Sequence, residues 1–202
     1  MQELFNVVLA GVGGQGVIFA STVLANAAVK VGLSARVGQT FTAAQRGGSV
    51  IAHVRVGSKV YSPLIGLGDA NVIIGLELVE ALRHIHYIKS GGLIILNTLK
   101  IPPRSVIFGQ AEYPNISEIE HFISEKYSAK VVKIDATQIA RSLGSALAAN
   151  MVMLGVLSCV SEFPVRHEYL IESIRELSPK RYVDLNIKAF KAGKAFMEKK
   201  FN

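Results

Sequence analysis

An apolar run of strand length stops on glycines and restarts as an alanine-rich helix, and this dictates how the chain begins to fold. Leu4 to Ala10 is apolar at every position but Asn6. A run without polar alternation suits a strand covered on both faces. Gly11-Val12-Gly13-Gly14-Gln15-Gly16 follows directly, and Val17 to Val31 predicts a helix closing at Gly32. Strand, glycine turn and helix in succession form the opening unit of a doubly wound sheet.

The alternation continues downstream. Ala35 to Phe41 reads as a second strand, and Val50 to Val56 with Lys59 to Tyr61 reads as a hairpin about Gly57-Ser58. A strand at Asn71 to Gly75 and a helix at Glu77 to Ile88 follow. Ser90-Gly91-Gly92 then turns the chain into a strand at Leu93 to Asn97. Pro102-Pro103 precedes a short strand, Ser105 to Phe108. Asn115 with Glu118 caps a helix to Tyr127, Lys130 to Ile134 is a strand, and Asp135 caps what comes next. Ala136 to Val160 reads as one long helix or two broken near Gly144. Arg166 to Leu177 and Asp184 to Lys200 read as amphipathic helices. The expected fold is α/β: a Rossmann-like, mainly parallel sheet with helices on both faces and one antiparallel hairpin. It forms one domain, with residues 1–160 as the core and 161–202 as a helical C-terminal tail.

Composition narrows the chemistry. With 50% hydrophobic and 18% charged residues over 202 positions, the chain has material for a self-sufficient core. Its single cysteine, Cys159, excludes an internal disulfide and a cluster held by four thiolates of this chain. His84 and His86 point to different sides of a helix, and His53 lies within a strand as a core residue, so no metal site is expected. Early basic residues are absent, so no secretory peptide is expected and the location reads as cytoplasmic. Ser142 to Ser161 carries no charge but four serines, two glycines and Asn150, which predicts a buried or subunit-facing helix rather than a membrane span.

The net charge of +7 is uneven: Leu4 to Gly68 holds no carboxylate, only Lys30, Arg36, Arg46, Arg55 and Lys59. A site for an anion is built this way, and so is a docking face for an acidic partner. Dispersed bases and the absence of Trp argue against nucleic acid.

Two loops are candidates for binding. In the first, Gly11, Gly13, Gly14, Gln15 and Gly16 meet the helix N-terminus, whose amides and dipole attract phosphate or carboxylate; packing alone is the alternative. No acidic residue follows at ribose distance, which opposes NAD, while Arg36 leaves a stand-alone NADP protein open. In the second loop, Arg46 beside Gly47 and Ser49 suits an oxyanion, with a solvated arginine as the bland reading.

GVGGQG, AAQRGGSV at 43–50, GDANVIIGLELVEALR at 68–83 and NMVMLGVL at 150–157 together resemble the gamma-type component of 2-oxoacid:ferredoxin oxidoreductases. The tail from Val183 to Gly193 is similar to the indolepyruvate branch of that family. The resemblance implies a subunit of a complex that decarboxylates a 2-oxoacid and forms acyl-CoA. Thiamine diphosphate and iron–sulfur clusters would sit in a partner chain and ferredoxin would take the electrons. This chain would contribute assembly and coenzyme A binding through the residues named above, and would form a possible homodimer when isolated. Pyruvate or 2-oxoglutarate enzymes are the alternatives within the family.

Overall fold

In the computed structural model, which describes residues 4–41 and 48–201, six strands form one sheet in the order β2-β3-β1-β4-β5-β6. They are β1 (Phe5–Val12), β2 (Ser34–Phe41), β3 (Ser49–Gly57), β4 (Ala70–Gly75), β5 (Ile88–Asn97) and β6 (Lys130–Ile134). β1, β4, β5 and β6 run parallel, while β3 runs antiparallel to both β1 and β2. β3 is therefore the one reversed strand, and the hairpin joins β2 to β3. The hairpin expected about Gly57-Ser58 does not form. Lys59 to Tyr61 is not a strand, because both edges of β3 are already paired.

Alternation in β1 divides the core. Val7 and Leu9 join α1 (Val17–Lys30), α5 (Ala136–Ser142), α6 (Ala149–Leu157), α7 (His167–Leu177) and α8 (Val183–Phe201) on one face. Val8 joins α2 (Leu78–Arg83) and α4 (Ile116–Tyr127) on the other. β1 is thus covered on both sides, as its unbroken apolarity requires.

α1 buries Ala20, Val23, Leu24, Ala27 and Ala28 and stops at Gly32, whose φ of 79° accepts the left-handed turn. The stretch 136–160 breaks at Gly144 (φ 122°) and resumes as α6, all nine residues of which are buried. It is the central helix of this layer. Among the described residues no helix is long and apolar enough to cross a membrane.

α8 is no appendage. An added Cβ on Gly155 would overlap the Phe190 carbonyl, and one on Gly193 would overlap that of Val152. The two glycines let α6 and α8 touch backbone to backbone, and Phe190 is fully buried there.

Other local expectations shift. Ser105 to Phe108 is not a strand; α3 (Arg104–Ile107) occupies the position, started by the Pro103 carbonyl, which accepts from Val106 N and Ile107 N. Proline is tolerated in a first helical turn. Ser90 to Gly92 lies inside β5, where Gly91 (φ 74°) accompanies a register shift against β4. α2 ends at Arg83, and a single 3-10 turn, Ile85–Tyr87, finishes the segment.

Candidate functional site

The first glycine loop lies where the chain turns away from β1 in one direction and from β4 in the other. Open α/β sheets receive ligands in this crevice. Here Gln15 fills it. Its Oε1 accepts from Val12 N at 2.8 Å and its Nε2 donates to Leu76 O at 2.9 Å, tying the ends of β1 and β4 together. Gly11 follows from the same contact: a Cβ there would stand 2.7 Å from Gln15 Oε1.

Two loop amides are also spoken for. Gly13 N donates to Gly48 O at 2.8 Å, and Gln15 N donates to Val12 O at 3.1 Å. Gly14 (φ 102°) and Gly16 (φ 75°) are left with no protein acceptor for their amides among the described residues. A Cβ on Gly14 would meet nothing within 4 Å. Gly16 forms the N-cap of α1 without a capping side chain. Its carbonyl accepts from Asn150 Nδ2 at 3.1 Å, and Asn150 would obstruct any side chain at position 16.

Gly14 separates two hollows. The larger, about 300 Å³, runs over Gly16 and Phe19 to Leu147, Tyr182 and Leu185 and is mainly apolar. The smaller, about 140 Å³, is lined by Gln15, Leu99, Ile101, Leu147 and the exposed Arg141. Unpaired amides at a helix N-terminus, an adjacent apolar cleft and a nearby guanidinium suit a ligand with an anionic group and an extended, less polar arm.

The second candidate loop is only partly placed. Arg46 and Gly47 lie outside the described residues. Ser49, at the start of β3, donates its hydroxyl to Glu80 Oε2 at 2.5 Å. The neighbourhood is therefore not free of acid, as the sequence suggested: β1 brings β3 and β4 to its two sides, and α2 follows β4 with Glu77 and Glu80 buried at its start. Glu77 Oε2 caps α2 by accepting from Glu80 N at 3.0 Å, and its Oε1 accepts from Tyr113 Oη at 2.5 Å. Burial and that carboxylate push the Tyr113 hydroxyl far above its ordinary range. With its hydroxyl on a carboxylate, Ser49 is poorly placed for a second anion.

Asn150 and Arg141 were absent from the sequence-level candidates. Asn150 opens the NMVMLGVL motif and is an amide in an otherwise apolar helix start, a signal that a buried polar partner lies opposite. Arg141 had no comparable signal.

The remaining singled-out residues are structural. His53 is buried and its Nδ1 accepts from Ile65 N at 3.3 Å. His84 Nε2 is buried without a partner among the described residues, and burial holds both imidazoles below their usual pKa. Among the described residues no cluster of histidine, cysteine and carboxylate groups is able to hold a metal ion. Cys159 is half-buried beside the Lys194 and Gly155 carbonyls, and burial raises its thiol pKa.

Three kinds of likeness bear on this site. Residues 6–196 match the family model described as pyruvate ferredoxin/flavodoxin oxidoreductase. The chain is 42% identical, over 94% of both lengths, to indolepyruvate oxidoreductase subunit IorB of Pyrococcus horikoshii. Among solved structures it resembles the gamma subunit of a keto/oxoacid ferredoxin oxidoreductase from Geobacter sulfurreducens, with a TM-score of 0.72 at 20% identity, covering 96% of this chain and 99% of that one. It also resembles part of the 2-oxoglutarate:ferredoxin oxidoreductase from Magnetococcus marinus, solved with 2-oxoglutarate, coenzyme A and succinyl-CoA bound. That match has a TM-score of 0.73 at 23% identity and covers 98% of this chain and 32% of the other.

Proposed function

The chain belongs to the pyruvate ferredoxin/flavodoxin oxidoreductase family, and from that premise we propose that it is the small subunit of an aryl-pyruvate, indolepyruvate-type, ferredoxin oxidoreductase. Thiamine diphosphate and the iron–sulfur clusters belong to its partner, since one cysteine cannot ligate a cluster. This chain contributes assembly and a face for coenzyme A, the thiol that accepts the acyl group. Its identity to IorB along nearly the whole chain carries the choice of subfamily.

The residues present fit coenzyme A. Gly14 and Gly16 offer amides to a phosphate, with Arg141 as a cation nearby, and the apolar cleft past Phe19 and Leu147 suits the pantetheine arm. The coenzyme-bound Magnetococcus neighbour of the same fold supports this reading. Arg46 and Gly47 retain their candidacy as anion ligands. Gly13 and Gln15 support the loop through their internal bonds rather than by facing the ligand.

The test is turnover of the reconstituted complex with an aryl pyruvate, ferredoxin and varied coenzyme A. Leu147→Glu places a carboxylate at the rim shared by both hollows, at a residue 65% exposed. The Michaelis constant for coenzyme A is expected to rise about tenfold, equivalent to about 1.4 kcal/mol, with kcat retained. An unchanged constant removes the coenzyme from this face. Tight NADPH binding and turnover by the isolated chain would replace the subunit reading with a self-sufficient enzyme.

A further inference from the structure

The second layer of the sheet is thinly covered over β2 and β3. Among the described residues, α2 reaches only the start of β3, through Ser49 and Ile51. Residues 60–65 cross it as a strap anchored by Val60 and Ile65, both buried. The strap is firmly held: Arg55 donates to the carbonyls of Ser62 (3.2 Å) and Leu64 (3.0 Å) and to Asn6 Oδ1 (3.2 Å). Pro63 and Leu64 sit on Gly38, where even a methyl group would crowd them. Beside the exposed Ser62 and Asp69, the strap and the residues after it turn three large apolar side chains outward: Tyr61 is 86% exposed, Leu64 61% and Leu67 72%.

Beside this patch the charges are unbalanced. The β2–β3 register sets Arg36 directly opposite Arg55, an arrangement that disfavours a sheet unless something negative lies near. The carboxylate closest in sequence, the exposed Asp69 just past the patch, forms no ion pair with either arginine among the described residues. Leu4 to Gly68 contains no carboxylate, and among the described residues no ion pair reaches Arg36, Arg55 or Lys59. Arg36 is exposed and donates to the neighbouring Ala35 carbonyl, its one hydrogen bond among the described residues. Among the described residues β2 also leaves one edge unpaired over eight residues, an edge that folded proteins cover or use. The opposite edge, β6, is five residues long and carries Lys130 and Lys133, which blunt it.

We infer that the β2 edge and the Tyr61–Leu64–Leu67 patch form the seat of the catalytic partner subunit, which meets Arg36 with carboxylates and the patch with apolar side chains. A second copy of this chain is the wrong occupant, because it would bring the same three cations, Arg36, Arg55 and Lys59, against a single acid, Asp69. The inference rests on the subunit reading above and adds the surface through which the assembly is made.

The test titrates the isolated chain against the purified thiamine- and iron–sulfur-bearing subunit and follows amide exchange in the complex. Arg36→Glu and Tyr61→Ala are each expected to weaken association about tenfold or more, while Phe122→Ser, on α4, leaves it unchanged. Raised salt weakens the wild-type contact, and β2 amides exchange more slowly in the wild-type complex than in the free chain, a readout that needs no variant to fold. The seat is overturned if both variants bind as the wild type does, or if β2 exchanges at its free rate in a complex that does form. It is equally overturned if the variants abolish a homodimer but not the hetero-complex. Failure of the wild-type chain to bind that subunit at all defeats the subunit reading itself, and the seat with it.

Discussion

Glycines at the α6–α8 crossing and glycines at the mouth of α1 perform opposite tasks. Gly155 and Gly193 are absences that the neighbouring backbone fills, each lying under a carbonyl of the facing helix. Gly14 is an absence that nothing fills, held at a φ of 102° with open space where a side chain would stand. One pair closes the molecule and the other keeps a place clear. The same residue type therefore marks packing in one region and access in the other, and only surroundings tell them apart.

The difference is sharpest under substitution. Gly193→Val should destabilise by about 3 kcal/mol or more, since both helices are fixed backbone that cannot give way; a loss under about 1 kcal/mol in urea denaturation would mean the crossing is looser than described. Gln15→Ala probes the border between the two regions. It leaves Val12 N without its acceptor and removes one of two donors from Leu76 O, Asn97 being the other, for a loss of about 2 kcal/mol.

Buried imidazoles test closure without touching a glycine. Burial holds the pKa values of His53 and His84 below the ordinary histidine value of about 6.5. The unfolded chain binds their protons first, so stability is complete above pH 6.5 and declines as pH falls below it. The decline is at most about 1.4 kcal/mol per pH unit for each histidine. Thermal melts across that range should show it, and His53→Gln should flatten the slope. The smallest expected effect on stability is Gly14→Ala, about 1 kcal/mol from the backbone conformation alone. Its larger consequence is a raised Michaelis constant for coenzyme A, and equal constants would place Gly14 among the packing glycines after all.

The entry into the fold was legible because its signals are local. An unbroken apolar strand, a glycine turn and an alanine-rich helix lie within 30 residues, and the break at Gly144 and the Asn115 cap carry their own side-chain signatures. The misreadings have two causes, a local carbonyl that starts a turn and partners that lie far away along the chain. Ser105 to Phe108 looks like a strand until a proline carbonyl is found organising a helical turn. Ser49 looks like an anion ligand until residue 80 delivers a carboxylate. Gly155 and Gly193 gave no hint that they face each other's helices. Within the site, Gly14 and Gly16 were readable from the motif, whereas Asn150 and Arg141 arrive by tertiary contact.

The bond from Asn150 Nδ2 to Gly16 O spans 134 residues of sequence. During synthesis, the opening strand, turn and helix emerge long before the amide that steadies their junction. A nascent chain halted ahead of α6 would carry the complete glycine motif with its α1 entrance unbraced. The glycine-loop end of the sheet is thus completed late, by a helix translated more than a hundred residues after the motif it braces.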